Sequence, residues 1–88
     1  GEVAFTAENE AWWERYDEMV MVRLRTSDGL DLGLVERAFG SSVASRLQEK
    51  AKAFVSQGLL KQQGRTLCLS EKGVLVSDYI IRALMWDA

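Results

Sequence analysis

The side chains that could do chemistry are few, and their spacing decides most of what they could do. The chain has one Cys, Cys68, and no His. A Ser-His-Asp or Cys-His arrangement therefore has no imidazole base. A lone thiolate cannot form a Cys-x-x-Cys redox pair or a thiolate zinc site. Nor can it hold an iron–sulfur cluster, which needs three or four thiolates. Cys68 lies in an alternating run with no adjacent base, where a small apolar role is expected. Asp28 and Asp31 flank a Gly turn but lack the oxygen ligands at loop spacing that a hard cation requires, so turn and cap roles suit them better. Glu10, Glu14, Asp17 and Glu18 form an acidic helical surface, and carboxylates outside a pocket are ordinarily solvated. Gly29, Gly40, Gly58, Gly64 and Gly73 never fall into a phosphate-binding fingerprint and punctuate turns and helix ends instead. No catalytic, cofactor-binding or metal-ligating residue is expected, and the fragment alone is not expected to be an enzyme.

Binding chemistry is better represented. Arg46, Lys50 and Lys52 fall on the outer face of one helical segment, diluted by Glu49, and Lys61 and Arg65 follow on a hairpin. That is the basic set of a nucleic-acid reader. Such readers work by neutralising phosphates and are usually clearly basic, whereas this chain has a net charge of −2 and a sequence pI near 5.1. The charge is unevenly spread: residues 1–18 carry six acids against Arg15, while residues 19–72 carry nine bases against five acids. Solvated helix faces account for this, and a charged binding face is the alternative. Trp12, Trp13, Tyr16, Tyr79 and Trp86 could flank a flat ligand, but core packing is expected for most of them. Trp13 and Trp86 are expected to contact another domain.

These residues must be positioned by helices and one hairpin. Gly1–Ala7 reads as a lead-in, with Thr6 as a helix cap, and residues 8–88 as a single domain. From about Glu8 to Thr26, the residues Trp12, Tyr16, Met19, Val20 and Leu24 recur at spacings of three and four, the helical stripe. Ser27-Asp28-Gly29 is a turn and Leu30-Asp31-Leu32 a short extended link. A second helix over Leu32–Phe39 is expected to turn Leu34, Val35 and Ala38 inward, with Asp31 as its cap and Gly40 as its left-handed stop. Ser41 or Ser42 should cap a third helix reaching about Gln57, with Gly58 as its stop. Leu59–Gln63 and Thr66–Ser70, joined at Gly64-Arg65, alternate as a β-hairpin. Ser70 should cap a last helix, Glu71–Trp86, apolar round most of its circumference. Such a helix needs cover on two sides, and in a domain this small one side is left open to a partner. The expected class is α+β and mostly helical, about four helices with a hairpin wing, in the winged-helix order.

At 88 residues and 48% apolar, the chain is a single packed domain rather than a disordered one. Its first residues are not expected to be a signal peptide, and the run Val74–Trp86 is too short, and too interrupted by Ser77, Asp78 and Arg82, to span a bilayer. An unpaired Cys fits a reducing compartment. The expected location is cytoplasmic, or an organelle in a eukaryote.

Several segments together carry a resemblance: Glu18 followed by Leu24-Arg25, then Gly29-Leu30-Asp31-Leu32, then Phe39-Gly40. Gly58-Leu59-Leu60, Leu69-Ser70-Glu71-Lys72-Gly73 and Val76-Ser77-Asp78 complete the set. Over roughly residues 10–85 the chain resembles the C-terminal domain of the oxygen-independent coproporphyrinogen III oxidase family, including its haem-chaperone-like relatives. Arg23 stands where that family commonly has Gly. The resemblance implies a radical S-adenosylmethionine parent in porphyrin and haem metabolism. Its barrel would hold a [4Fe–4S] cluster and S-adenosylmethionine on a Cys-x-x-x-Cys-x-x-Cys motif that is absent here. This domain's implied role is to pack on the barrel and help close the substrate side, with a porphyrin or haem as a further partner. The residues expected to meet the barrel are Trp13, Arg25, Ile81, Met85 and Trp86. The alternative is a winged-helix DNA-binding or protein-interaction module.

Overall fold

The computed structural model describes residues 11–86. Thr6, Glu8 and Glu10, read above as a cap and an acidic first turn, lie outside that range. Helix α1 (Trp12–Leu24) starts where the Ala11 carbonyl accepts from the Glu14 N–H at 3.1 Å. The Glu14 carboxylate in turn accepts from the Ala11 N–H at 3.0 Å, one half of a capping box. Tyr16, Val20 and Leu24 fall on the face that α1 buries. The helix ends at a turn in which the Thr26 hydroxyl donates to the Arg23 carbonyl at 2.8 Å.

Gly29 closes this turn at φ +79°, a conformation costly for any residue with a Cβ. A Cβ here would also meet the Leu67 carbonyl oxygen and Cys68 Sγ, each at 2.5 Å. The backbone can therefore come close alongside Leu67 and Cys68. The expected extended link is strand β1 (Leu30–Asp31), and it pairs antiparallel with β3 (Thr66–Leu69), Leu30 opposite Leu67. Strand β2 (Leu60–Gln63) lies on the other side of β3, with Leu60 opposite Leu69, giving the order β1-β3-β2.

Helix α2 (Leu32–Phe39) is capped as expected: the Asp31 carboxylate accepts from the Gly33 N–H at 2.9 Å. It buries Leu32 and Val35, whereas Ala38, expected inside, is exposed. Leu32 takes the inward position because the helix starts directly from β1. Helix α3 (Ser41–Ser56) follows at once. Neither Ser41 nor Ser42 caps it; Gly40 is the cap residue and no side chain accepts there. Gly40 stops α2 with a positive φ but an extended ψ of 161°, so it redirects the chain rather than ending the helix in the left-handed α conformation. At the far end of α3 the Leu59 N–H reaches the Phe54 carbonyl and the Gly58 N–H reaches that of Val55, a Schellman closure.

The expected last helix is two. Helix α4 (Glu71–Leu75) and helix α5 (Ser77–Leu84) are separated by Val76 at φ −124°, ψ 32°. Two packing demands explain the break. Gly73 is buried flat against the Leu59 carbonyl, where a Cβ would overlap the oxygen. Ile80, Ile81 and Leu84 must meanwhile enter the core. The break re-aims the second segment so that both are met. Among the described residues, five helices and three strands around one core make the mostly helical α+β class expected.

Ser70 ties the hairpin to α4. Its hydroxyl donates to the Gly58 carbonyl at 2.6 Å and accepts from the Gly73 N–H at 3.0 Å. Ser70→Ala removes both bonds from a buried site and should cost about 2 kcal/mol. Urea unfolding of the two proteins measures it, and an unchanged midpoint would show that water replaces the hydroxyl without loss.

Candidate docking surface

Helices α1 and α5 run antiparallel, and their pairing positions most of the residues expected to act. At one end the Tyr16 hydroxyl donates to the Leu84 carbonyl at 2.9 Å and the Trp86 N–H donates to the Asp17 carboxylate at 2.7 Å. At the other end Arg25 donates to Asp78 at 3.2 Å, with both side chains more than half exposed. A pair so solvated contributes below about 1 kcal/mol, but it joins two segments on which the resemblance rests.

The aromatic end is partly covered by its own contacts, with Trp12 still 40% and Trp13 37% exposed. Trp12 lies edge-on to Trp86 with ring centroids 4.7 Å apart and to Trp13 at 5.9 Å. The Arg46 guanidinium sits 4.4 Å from the centre of the Trp86 ring, a cation–π contact. Of the residues expected to meet a partner, Trp13 remains exposed here, while Met85 and Trp86 are half-buried. Arg25 lies about three helical turns away from Trp13, roughly 18 Å along α1, so they do not share one patch. Ile81 is a correction: at 3% exposure its side chain is spent on the core and offers nothing to a partner.

A further group of exposed apolar side chains lies at the corner between α4 and α5. Leu75 is 84% exposed, Tyr79 65%, Val74 59% and Val76 41%. Val74 borders a groove of about 320 Å³ shared with Leu24, Arg25, Cys68 and Leu69. Tyr79 stands edge-on to Phe54 at 5.9 Å. These side chains were visible in the sequence as the excess apolar residues of the last helix. Which of them face outward depends on the break at Val76, which resets the phase of the helix. A second groove, of about 390 Å³, runs between α1 and the end of α2, with Met19, Val22 and Phe39 as floor and Arg15, Glu18 and Arg23 at its rim.

Most basic residues of α3 and the hairpin make contacts within the fold, while Lys61 is exposed on the hairpin. Lys50 donates to the Met85 carbonyl at 3.0 Å, Lys52 pairs with Glu49 at 3.1 Å, and Arg65 pairs with Glu36 at 2.9 Å. Gln48 and Gln62 exchange two amide hydrogen bonds, at 3.0 and 2.9 Å, clasping the hairpin to α3. This clasp was not legible in the sequence, since two polar residues 14 positions apart carry no local signal.

Among the described residues, no group of three or more His, Cys, Asp or Glu side chains could hold a metal ion. Among them, too, no helix is long and apolar enough to cross a membrane.

Several of the motif positions have physical work in this fold. Gly29 permits the close approach to β3, Asp31 caps α2, Gly58 lies in the closure of α3, and Ser70 and Gly73 lock α4 to the hairpin. No curated protein and no solved structure matches the chain. The family model described as the HemN C-terminal domain matches residues 12–76, from the first residue of α1 to the break before α5. With 65 of its 88 residues covered, the chain belongs to the HemN C-terminal domain family.

Proposed function

We propose that the chain is a non-catalytic accessory domain of an oxygen-independent coproporphyrinogen III oxidase-like protein. In this reading it packs on a radical S-adenosylmethionine barrel and helps to close the substrate side, where a porphyrin or haem is handled. The family match carries the reading, and the unpartnered apolar corner supports it. The residues present do not fit the cluster that such a protein uses: one thiol cannot supply the thiolate ligands of a [4Fe–4S] group. Cluster and S-adenosylmethionine belong to the barrel in this proposal, and no step of their chemistry is assigned to this chain.

The DNA-binding alternative is disfavoured by one observation. Four of the five candidate bases, Arg46, Lys50, Lys52 and Arg65, make contacts within the fold that phosphate binding would first have to break, while Lys61 is exposed on the hairpin.

The test uses the full-length protein, reconstituted without oxygen, beside a form lacking residues 12–86. The shortened protein should keep its cluster absorbance and its cleavage of S-adenosylmethionine, while its turnover or transfer of tetrapyrrole falls at least about tenfold, the size expected when a group that closes a site is lost. Unchanged tetrapyrrole handling would sink the proposal. Salt-dependent DNA binding by the full-length protein would favour the alternative.

A further inference from the structure

We infer that α1 and α3 together form a peptide-reading site, filled in this structure by the chain's own Met85 and Trp86. When this strap is displaced, the site takes another extended peptide that carries a large aromatic residue. The occupant is thus visible. At the end of α5 the chain turns extended, with Met85 at φ −65° and ψ 162°. Side chains of two helices then hold its main chain. Lys50 on α3 donates to the Met85 carbonyl at 3.0 Å, and the Asp17 carboxylate on α1 accepts from the Trp86 N–H at 2.7 Å.

The Trp86 side chain is held as closely. Its ring meets the Arg46 guanidinium at 4.4 Å, Trp12 edge-on at 4.7 Å and Tyr16 edge-on at 5.9 Å. Arg46 and Lys50 are four positions apart on α3, so both reach the same side of the helix, one to the ring and one to the carbonyl. Peptide recognition uses these two parts. Bonds to the main chain fix position whatever the sequence, and a pocket for one side chain supplies the preference. A large aromatic ring is the usual anchor of such a pocket.

The strap is an addition to the fold rather than a part of its core. The buried core ends at Leu84, whereas Met85 and Trp86 pack on it from outside and stay half-buried. Trp12 is 40% exposed beside them, so the edge of the site is open to solvent. A terminal segment with few buried contacts opens locally, at lower cost than the whole fold. Its release uncovers Trp12 and Tyr16, with Asp17, Arg46 and Lys50 placed to bind the next main chain.

The experiment compares the unaltered 88-residue chain with one carrying Met85→Gly and Trp86→Gly together. The probe is an acetylated, amidated Leu-Met-Trp-Asp peptide, the sequence of residues 84–87, titrated by NMR. The double variant should keep its core methyl spectrum and bind the peptide with a Kd of about 1 mM, as befits so few contacts. The unaltered chain should bind at least about tenfold more weakly, because its own strap competes at high effective concentration. A peptide with Ala in place of Trp should lose at least about tenfold on the variant. Unfolding of the double variant would overturn the inference, since the strap would then belong to the core. Equal binding by the two chains, or of the two peptides, would place the peptide elsewhere and overturn it as well. So would the lack of saturable binding to the folded variant.

Discussion

Gly73→Ala should destabilise the domain by about 3 kcal/mol, although it adds a single methyl group. The native φ of Gly73 is not positive, so backbone conformation does not enter. The cost is steric: the new Cβ would occupy the space of the Leu59 carbonyl oxygen and lie 3.4 Å from Ile80 Cδ1. A backbone oxygen cannot rotate away as a side chain can. That oxygen also accepts from the Ser70 N–H, so moving it loosens the hairpin as well. For a domain of this size the melting temperature should fall by roughly 12–20 °C. A fall of only a few degrees would mean that α4 slides off Leu59 at little cost, and the lock between α4 and the hairpin would have to be abandoned.

Gly29→Ala should be at least as damaging, by about 3–4 kcal/mol, for two reasons that can be separated. The position has φ +79°, and a Cβ would press on the Leu67 carbonyl and Cys68 Sγ. Gly64 provides the comparison. It also has positive φ, but a Cβ there meets nothing within 4 Å. Gly64→Ala should therefore show the conformational cost alone, about 1 kcal/mol. The difference between the two substitutions in urea unfolding measures the contact of β1 with β3. Equal losses would show that the turn, and not the close approach to β3, is what Gly29 serves.

The sequence is legible where structure is local. Asp31 and Ser70 announce their helices because a cap and the N–H groups it binds lie within three residues. Leu67 and Leu69 announce a strand because alternation is a property of neighbours. The pairing of Leu30 with Leu67 is not local, and two residues are too few to show a period, so β1 reads as a mere link. Nor does anything in Val76-Ser77 mark a helix break, since no Gly or Pro stands there. That break decides the site. A continuous helix leaves Ile81 and Leu75 equivalent as candidates, both apolar on a helix apolar all round. Once the helix is divided, Ile81 enters the core and Leu75 turns outward. Arg23 is explained in the same way: its side chain is exposed beside the α1–α2 groove, so this backbone makes no approach there that would require Gly.

The antiparallel pairing of α1 with α5 also sets the order of events at the ribosome. Tyr16 reaches Leu84, and Asp17 reaches Trp86, across 68 and 69 positions. A nascent chain that has emerged only as far as Val76 has its hairpin but lacks Ile80, Ile81 and Leu84, so one wall of the core is missing. Contacts so distant in sequence are made late, and domains fold as units during synthesis. Until the last ten or so of the described residues clear the exit tunnel, Val20, Leu24 and the inner face of α3 have no final cover. Synthesis from the N-terminus thus leaves this side of the core uncovered until α5 arrives.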